Sequence, residues 1–428
     1  MTEGVLMLFL LLFIFMGIGI PIGISLGLST VLTMVTTTNI SILSIPQNCI
    51  GGLDSFPLMA IPFFILSGNL MRLGGLSDRL LNLAKACIGW ATGGLGMITA
   101  LSCLFFSALS GSAPATVSAI GSTMIPRMAD NGYNKGYAGA LTATAGSLGV
   151  ILPPSIPLVI FGVVSGTSIA GLFLAGIIPG FIMAGALMIA NYVMSKHYKY
   201  PKVSDRVDIK EVLLALKDAI WALLVPIIIL GGIYGGIFTP TEAAVVAVFY
   251  SLIIGKFVYK ELKWPTIYEA FRETVQINGS TTFMVGLSLS FAGYMTMAQV
   301  PAAVGSFIYG VTDNPIVIML ILNVFLIIIG LCIDNISNTI ILTPILLPIA
   351  MSAGMDPIHF GLMMTINLAI GFVTPPYGVN LMFASAIGKV SMEEIVAKSP
   401  PFLLAMLVVL MLITYIPSLT MAIPQAVL

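Results

Sequence analysis

The chain has 428 residues, 58% of them hydrophobic and only 8% charged, with a mean hydropathy of +1.09. A soluble globular domain carries about 25% charged residues, so this composition excludes one and leaves a polytopic membrane protein. Seventeen basic residues balance seventeen acidic ones, and with no basic surface to neutralise phosphates a nucleic-acid partner is excluded too.

In chain order, the opening MTEGVLMLFLLLFIF lacks a positively charged start and a small-residue cleavage site. It reads as a first span, at about 5–20, and not as a secretory signal. Apolar stretches long enough to cross a bilayer follow at 22–37, 55–71, 137–165, 172–194, 219–235, 239–256, 278–296, 357–388 and 402–425, predicting about ten spans. Regions 92–126 and 316–350 are apolar but interrupted by polar inserts, and each is predicted to be a re-entrant hairpin. The four cysteines (Cys49, Cys87, Cys103, Cys332) have no ligand spacing and read as small apolar residues. His197 and His359 lie in or beside polar loop sequence, which leaves little room for a histidine metal site.

No Lys or Arg precedes Arg72 and none follows Lys398. With the N-terminus outside, all seventeen fall in predicted inner segments, as the cytoplasmic excess of Lys and Arg requires. Both termini are then periplasmic. The segment 196–218 connects two halves, 1–195 and 219–428. From Asp208 it reads as an amphipathic helix with Ile209, Val212, Leu213, Leu216 and Ile220 on one face, either lying on the inner headgroups or serving as a partner-binding arm.

The halves repeat. At a constant offset of 222 residues, eight identities pair 126–166 with 348–388: Pro126/Pro348, Gly132/Gly354, Gly139/Gly361, Gly149/Gly371, Pro153/Pro375, Pro154/Pro376, Phe161/Phe383 and Gly166/Gly388. Seven of the eight are Gly or Pro, so bends are repeated and not a chemistry. Loop 38–54 has no basic residue while its counterpart near 256–272 has four. Equivalent loops therefore face opposite sides, which is an inverted-topology repeat. Such repeats build secondary transporters, with the site near the bilayer midplane at broken helices.

GVILPPSIP at 149–157 and GFVTPPYGV at 371–379 are the predicted breaks. A proline inside a helix removes an N–H and clashes with the preceding turn, and the backbone groups freed at membrane depth must be met by protein or by a watery cavity. Bare carbonyls suit Na⁺, and the start of a resumed half-helix attracts an anion. The plain alternative is a proline kink. Beside the breaks lie the inserts SALSGSAPATVSAIGST (107–123) and CIDNISNTIILTP (332–344). Candidate substrate-binding residues are Ser110, Ser112, Thr116, Pro154, Asn335, Ser337, Asn338, Thr339 and Pro376; candidate Na⁺ ligands are Ser107, Gly111, Gly149, Pro153, Asp334, Gly371, Thr374 and Pro375. Asp334 is the one carboxylate in either insert, with cation or substrate coordination and a structural cap as its two readings. Glu242, just after a helix-starting proline, reads as a first-turn carboxylate against the helix dipole.

These residues also carry a resemblance. GGLDSFPLMAIPFFILSG (51–68), SGSAPATVSAIGSTMIPRMADNGY (110–133), LPPSIPLVIFG (152–162), GIFTPTEAAVVA (236–247) and TPPYGVN (374–380) are similar to the large membrane subunit of tripartite ATP-independent periplasmic (TRAP) transporters. SNT at Ser337–Thr339 is similar to the hairpin motif of divalent-anion/Na⁺ symporters, from which the first hairpin departs by reading SGSAPAT without an Asn. The resemblance implies an all-α fold with a scaffold and a mobile transport domain moving as an elevator. It implies Na⁺-driven uptake of an organic acid in the bacterial inner membrane, with Na⁺ as coupling ion and no other cofactor. It implies two partners, a separate small four-helix membrane subunit and a periplasmic substrate-binding protein. Among family members the sequence resembles the sialic-acid type. The alternative is a stand-alone Na⁺/anion symporter without a binding protein. A channel lacks its rings of like charge, and a hydrolase lacks a nucleophile–base pair.

Overall fold

The computed structural model describes residues 2–39 and 41–427, and every regular element among them is a helix. Three helices come first: α1 (Thr2–Gly17), α2 (Ile22–Thr37) and α3 (Ser44–Leu53). The first half continues with α4 (Ala60–Leu73, entered through a 3-10 turn at Phe56–Met59) and α5 (Leu76–Ile88). A hairpin of α6 (Gly94–Ser110) and α7 (Ala113–Asp130) follows, then a broken helix, α8 (Lys135–Gly146), α9 (Leu148–Ile151) and α10 (Ile156–Ser165), and finally α11 (Ile169–Tyr198). Two helices, α12 (Ile209–Tyr234) and α13 (Pro240–Ile253), come next. The second half continues with α14 (Trp264–Met297) and α15 (Val300–Val311), followed by a hairpin of α16 (Pro315–Gly330) and α17 (Asn335–Ser352). Its broken helix is α18 (Pro357–Gly371) and α19 (Val379–Gly388), after which come α20 (Met392–Val396), α21 (Pro400–Tyr415) and α22 (Ser418–Val427).

Helix starts follow from local chemistry. Ser112, Asn134, Ser155, Ser168, Asn314, Asp334 and Asp356 each accept a first-turn N–H on the side chain, as these residue types do best. Proline often stands just inside, where its missing N–H is one of the unpaired first-turn groups anyway. At α13 the arrangement is a full capping box: Thr239 and Glu242 each take the other's backbone N–H, which fulfils the first-turn reading of Glu242.

The repeat survives in three dimensions. α7 and α17 start and stop in register at the 222-residue offset, and α8 and α18 start in it. The broken helices touch where Ser147 Oγ donates to the carbonyl of Ala369, its own counterpart 222 residues away, at 3.4 Å. Asn380 Nδ2 donates to Ala143 O at 2.9 Å and to Ser147 Oγ at 3.2 Å. The Phe161 and Phe360 rings meet at 6.1 Å beside Gly361, where a Cβ would lie 2.4 Å from Phe161.

Among the described residues six helices are long and apolar enough to cross a membrane, eight if two bent pairs each count as one, against about ten spans read from hydropathy. Three expected spans fall outside that measure, namely α1 and α2, of 16 residues each and so about 24 Å long at 1.5 Å per residue, and the broken α18–α19, while α17 of the second hairpin falls within it. In the segment 196–218, α11 runs as far as Tyr198, and the helix expected from Asp208 is α12, capped by Asp208 and continuing beyond the segment to Tyr234. His359 is buried in the first turn of α18, its Nε2 2.9 Å from Ile413 O, because that helix begins at Pro357.

Candidate functional site

The first hairpin turns at Gly111, whose φ of 63° suits glycine. Past the turn Ser112 caps α7, and Thr116 Oγ1 donates to Ser112 O while lying 2.9 Å from Ser110 Oγ. The tip seats on the first broken helix: Ile156 N donates to Gly111 O at 3.2 Å. Gly149 permits this seating, for a Cβ there would lie 2.4 Å from Ser112 O and 2.6 Å from Thr116 Oγ1. Ser107 is buried within α6 and donates to Cys103 O. The Pro153–Pro154 bond is cis and both prolines are buried.

The second hairpin repeats this arrangement with different side chains. Tyr377 N donates to Leu331 O at 3.1 Å, and a Cβ on Gly371 would lie 2.2 Å from Gly330 O. Asp334 Oδ2 accepts from Ser337 N at 3.0 Å as the α17 cap, while Asp334 Oδ1 is buried with no partner. Asn338 Nδ2 donates to Ile333 O at 2.9 Å and its Oδ1 is likewise unpartnered, as is Asn335 Nδ2. Thr339 Oγ1 donates to Asn335 O, and Ser288 Oγ of α14 donates to Ser337 Oγ at 3.3 Å. Thr374 Oγ1 donates to Ile370 O at 2.8 Å. The Pro375–Pro376 bond is cis, but these prolines are exposed where the first pair is buried.

Both tips open onto one cavity of about 620 Å³. Of the expected residues, Ser110, Gly111, Ser112, Asp334 and Asn335 line it. Thr116, Ser337, Asn338 and Thr339 are buried outside its lining, and Ser107, Gly149, Pro153, Pro154, Gly371, Thr374, Pro375 and Pro376 are also absent from it. The starts of four helices border the cavity: Ala113 and Pro114 of α7, Ile156 and Pro157 of α10, Asn335 and Ile336 of α17, and Val379 of α19. Each helix start carries roughly half a positive charge. The two hairpin tips and the two breaks thus bring four helix starts to the border of one space, which Asp334 also lines.

The breaks do not leave bare all the oxygens the prolines threatened to free. Ser155 Oγ donates to Val150 O at 2.6 Å, and Asn380 N donates to Phe372 O at 3.0 Å. Among the buried side-chain oxygens without a partner are Asp334 Oδ1 and Asn338 Oδ1 in the second hairpin and Asn367 Oδ1 and Asn380 Oδ1 in the second broken helix.

The remaining cavity wall was missed from sequence. It is a face of α4 (Ile65, Gly68, Asn69, Arg72) and a face of α14 (Glu273, Gln276, Ile277, Ser280, Thr281, Met284). Asn69 Nδ2 donates to Thr274 Oγ1 at 3.1 Å, and Arg72 and Glu273 pair across the two helices. The spacings i, i+3, i+4 and i+7 were a usable signal. Polar residues on one such face of an apolar helix point to a watery wall.

Inverted repeats, two hairpins and two broken helices around one cavity define a multi-pass membrane permease. Residues 9–419 match the family described as tripartite ATP-independent periplasmic transporter, DctM component, and the chain belongs to that family. It is 45% identical over 390 residues to the isethionate TRAP transporter permease protein DctMQ of Oleidesulfovibrio alaskensis, covering 91% of this chain but spanning only 61% of that protein's length. It is 39% identical to the C4-dicarboxylate TRAP transporter large permease protein DctM of Pseudomonas aeruginosa, over 87% of each chain. It is also 39% identical to the sialic acid TRAP transporter large permease protein SiaM of Vibrio cholerae, over 92% of each. Among solved structures the YdaH transporter of Alcanivorax borkumensis shares the fold, with a TM-score of 0.64 at 15% identity over 86% of each chain.

Proposed function

We propose that the chain is the large membrane subunit of a Na⁺-coupled TRAP transporter of the bacterial inner membrane, both termini periplasmic, that imports a small organic anion. The observation that carries this reading is four helix starts bordering one cavity beside a buried, half-partnered carboxylate. The helix starts meet the anion. Asp334 Oδ1 and Asn338 Oδ1, with hydroxyls and carbonyls nearby, are hard donors that fit Na⁺. An ion held there offsets the repulsion between Asp334 and an anionic substrate, so binding of one favours the other. A soluble periplasmic protein delivers the substrate and a small four-helix membrane subunit completes the complex, as in the named relatives' family. The hairpins and broken helices move as one body against α4 and α14, giving elevator-type alternating access.

Isethionate, C4-dicarboxylates and sialic acid, named for the relatives, share an acidic group and differ in the rest, which makes organic anion the supported class and sialic acid one arm of a screen. In liposomes, with the binding protein supplied, uptake is expected to require an inward Na⁺ gradient. Equal uptake in K⁺ at matched ionic strength overturns the coupling. Undiminished uptake without the binding protein favours a stand-alone symporter.

Arg72 gives a second test. Its guanidinium lies in the cavity wall with Glu273 as partner, so an anion in the cavity competes with that carboxylate. Glu273→Gln is expected to lower the half-saturating substrate concentration several-fold and to slow turnover by retaining product, in the range of about 1 kcal/mol for a partly exposed ion pair. Arg72→Gln is expected to raise it. Unchanged kinetics in both variants makes the pair a helix–helix tie only.

A further inference from the structure

A second cavity lies away from the substrate site, on the face that the charge distribution assigns to the cytoplasm. It measures about 260 Å³ and is bordered by three cations from three separate elements: Lys85 in the last turn of α5, Arg127 in the last turn of α7, and Lys202 in the loop after α11. Leu81, Ile98 and Met124 form a buried apolar floor. None of the three cations has an ion-pair partner among the described residues, and the carboxylates of the same elements, Asp78, Asp130 and Asp205, do not line the cavity.

The cavity is built and not a chance gathering of surface lysines. The loop carrying Lys202 is fastened over the α5–α6 turn: Val203 N donates to Gly89 O at 2.9 Å, and Gly94 N donates to Pro201 O at 3.2 Å. Tyr200, two residues before Lys202, stacks on Tyr133 at 4.0 Å between centroids. The Arg127 carbonyl is held by Asn131 Nδ2 at 2.8 Å, which fixes the end of α7. Trp90, half-exposed just past α5, has the amphipathic character of a residue at the headgroup level.

We propose that this cavity binds the phosphate of an anionic phospholipid from the inner leaflet. Three unneutralised cations converging on one small space call for a phosphate-type anion. The apolar floor and the interfacial tryptophan favour a phosphate that carries a glycerol and acyl chain over the free ion. Basic pockets between helices at a cytoplasmic face are suited to such headgroups. Because the cations come from α5, hairpin 1 and the 199–208 loop, the lipid ties the outer end of the first hairpin to the arm beside it. Arg79 of that arm is in turn paired with Glu261 and Asp218 outside the hairpin.

The test is native mass spectrometry of the full chain released from detergent supplied with phosphatidylglycerol or phosphatidylcholine. One phosphatidylglycerol is expected to survive on the wild type under conditions that strip phosphatidylcholine. With each basic charge near a membrane surface contributing about 1 kcal/mol, Lys202→Gln should reduce its retention about fivefold and the triple variant Lys85→Gln/Arg127→Gln/Lys202→Gln roughly a hundredfold. The control Lys210→Gln/Lys217→Gln/Lys263→Gln, on the same face but off the cavity, should retain it. Lys202→Gln alters only an exposed loop side chain, which guards against a folding failure in the triple variant. Equal phosphatidylglycerol retention in wild type and Lys202→Gln overturns the proposal. So does displacement of the lipid by excess inorganic phosphate at unchanged protein melting, which marks the cavity as a site for the free ion.

Discussion

Alanine at Gly371 or at Gly149 is expected to abolish uptake and to lower the melting midpoint, although each change adds one methyl group. At Gly371 the new Cβ would lie 2.2 Å from the Gly330 carbonyl oxygen, and at Gly149 it would lie 2.4 Å from the Ser112 carbonyl oxygen. Both obstacles are backbone, so no side chain can swing aside. The hairpin tip must lift off the broken helix instead, which strains or breaks Tyr377 N to Leu331 O in one repeat and Ile156 N to Gly111 O in the other. Overpacking of this kind costs about 1–3 kcal/mol. The functional loss should be larger, because the displaced tips carry Ser112 and Asp334. Gly185 in α11 is the control: nothing lies within 4 Å of its Cβ position, and alanine there should be neutral or stabilising by up to about 1 kcal/mol. Wild-type melting and uptake in both Gly149→Ala and Gly371→Ala would show that the tips do not need this close seating.

The glycines that make this prediction were visible in the sequence, and the reason is physical. Gly and Pro act through the backbone, so a repeated set of bends leaves a repeated set of letters even after the side chains between them have diverged. That is why the 222-residue register, both hairpins and both breaks could be read before any coordinates. Helix-capping residues were legible for a similar reason: Asp334 accepts from Ser337 N and Glu242 from Thr239 N, each three residues away. What could not be read was whatever depends on distant pairing. Arg72 served in the sequence only as a marker of the inner side, and its partner Glu273 lies 201 residues further on. The fate of the freed carbonyls was equally hidden. Val150 O is taken up by the Ser155 hydroxyl, so the prolines expose less oxygen than the breaks alone suggested.

Asp334→Asn is expected to leave the fold almost unchanged and to remove most Na⁺-dependent transport. The substitution separates the two duties of this side chain. As the cap of α17, Asp334 accepts Ser337 N through Oδ2, and asparagine caps as well as aspartate does. Melting should therefore stay close to wild type, whereas Asp334→Ala should cost about 1 kcal/mol more through the lost cap. The other duty belongs to Oδ1, which is buried without a partner. A buried charge left unpaired costs several kcal/mol, so a carboxylate in this position calls for a cation, and an uncharged amide does not. Since 1.4 kcal/mol is a factor of ten in an equilibrium constant, the half-saturating Na⁺ concentration should rise tenfold or more in Asp334→Asn. Substrate affinity measured at fixed low Na⁺ should fall with it, because the anion then loses the counter-charge that accompanies it. Unchanged Na⁺ kinetics in Asp334→Asn, with normal melting, would return this residue to the role of cap alone. Uptake that follows an imposed pH gradient and ignores Na⁺ would instead make the proton the cation that Oδ1 awaits.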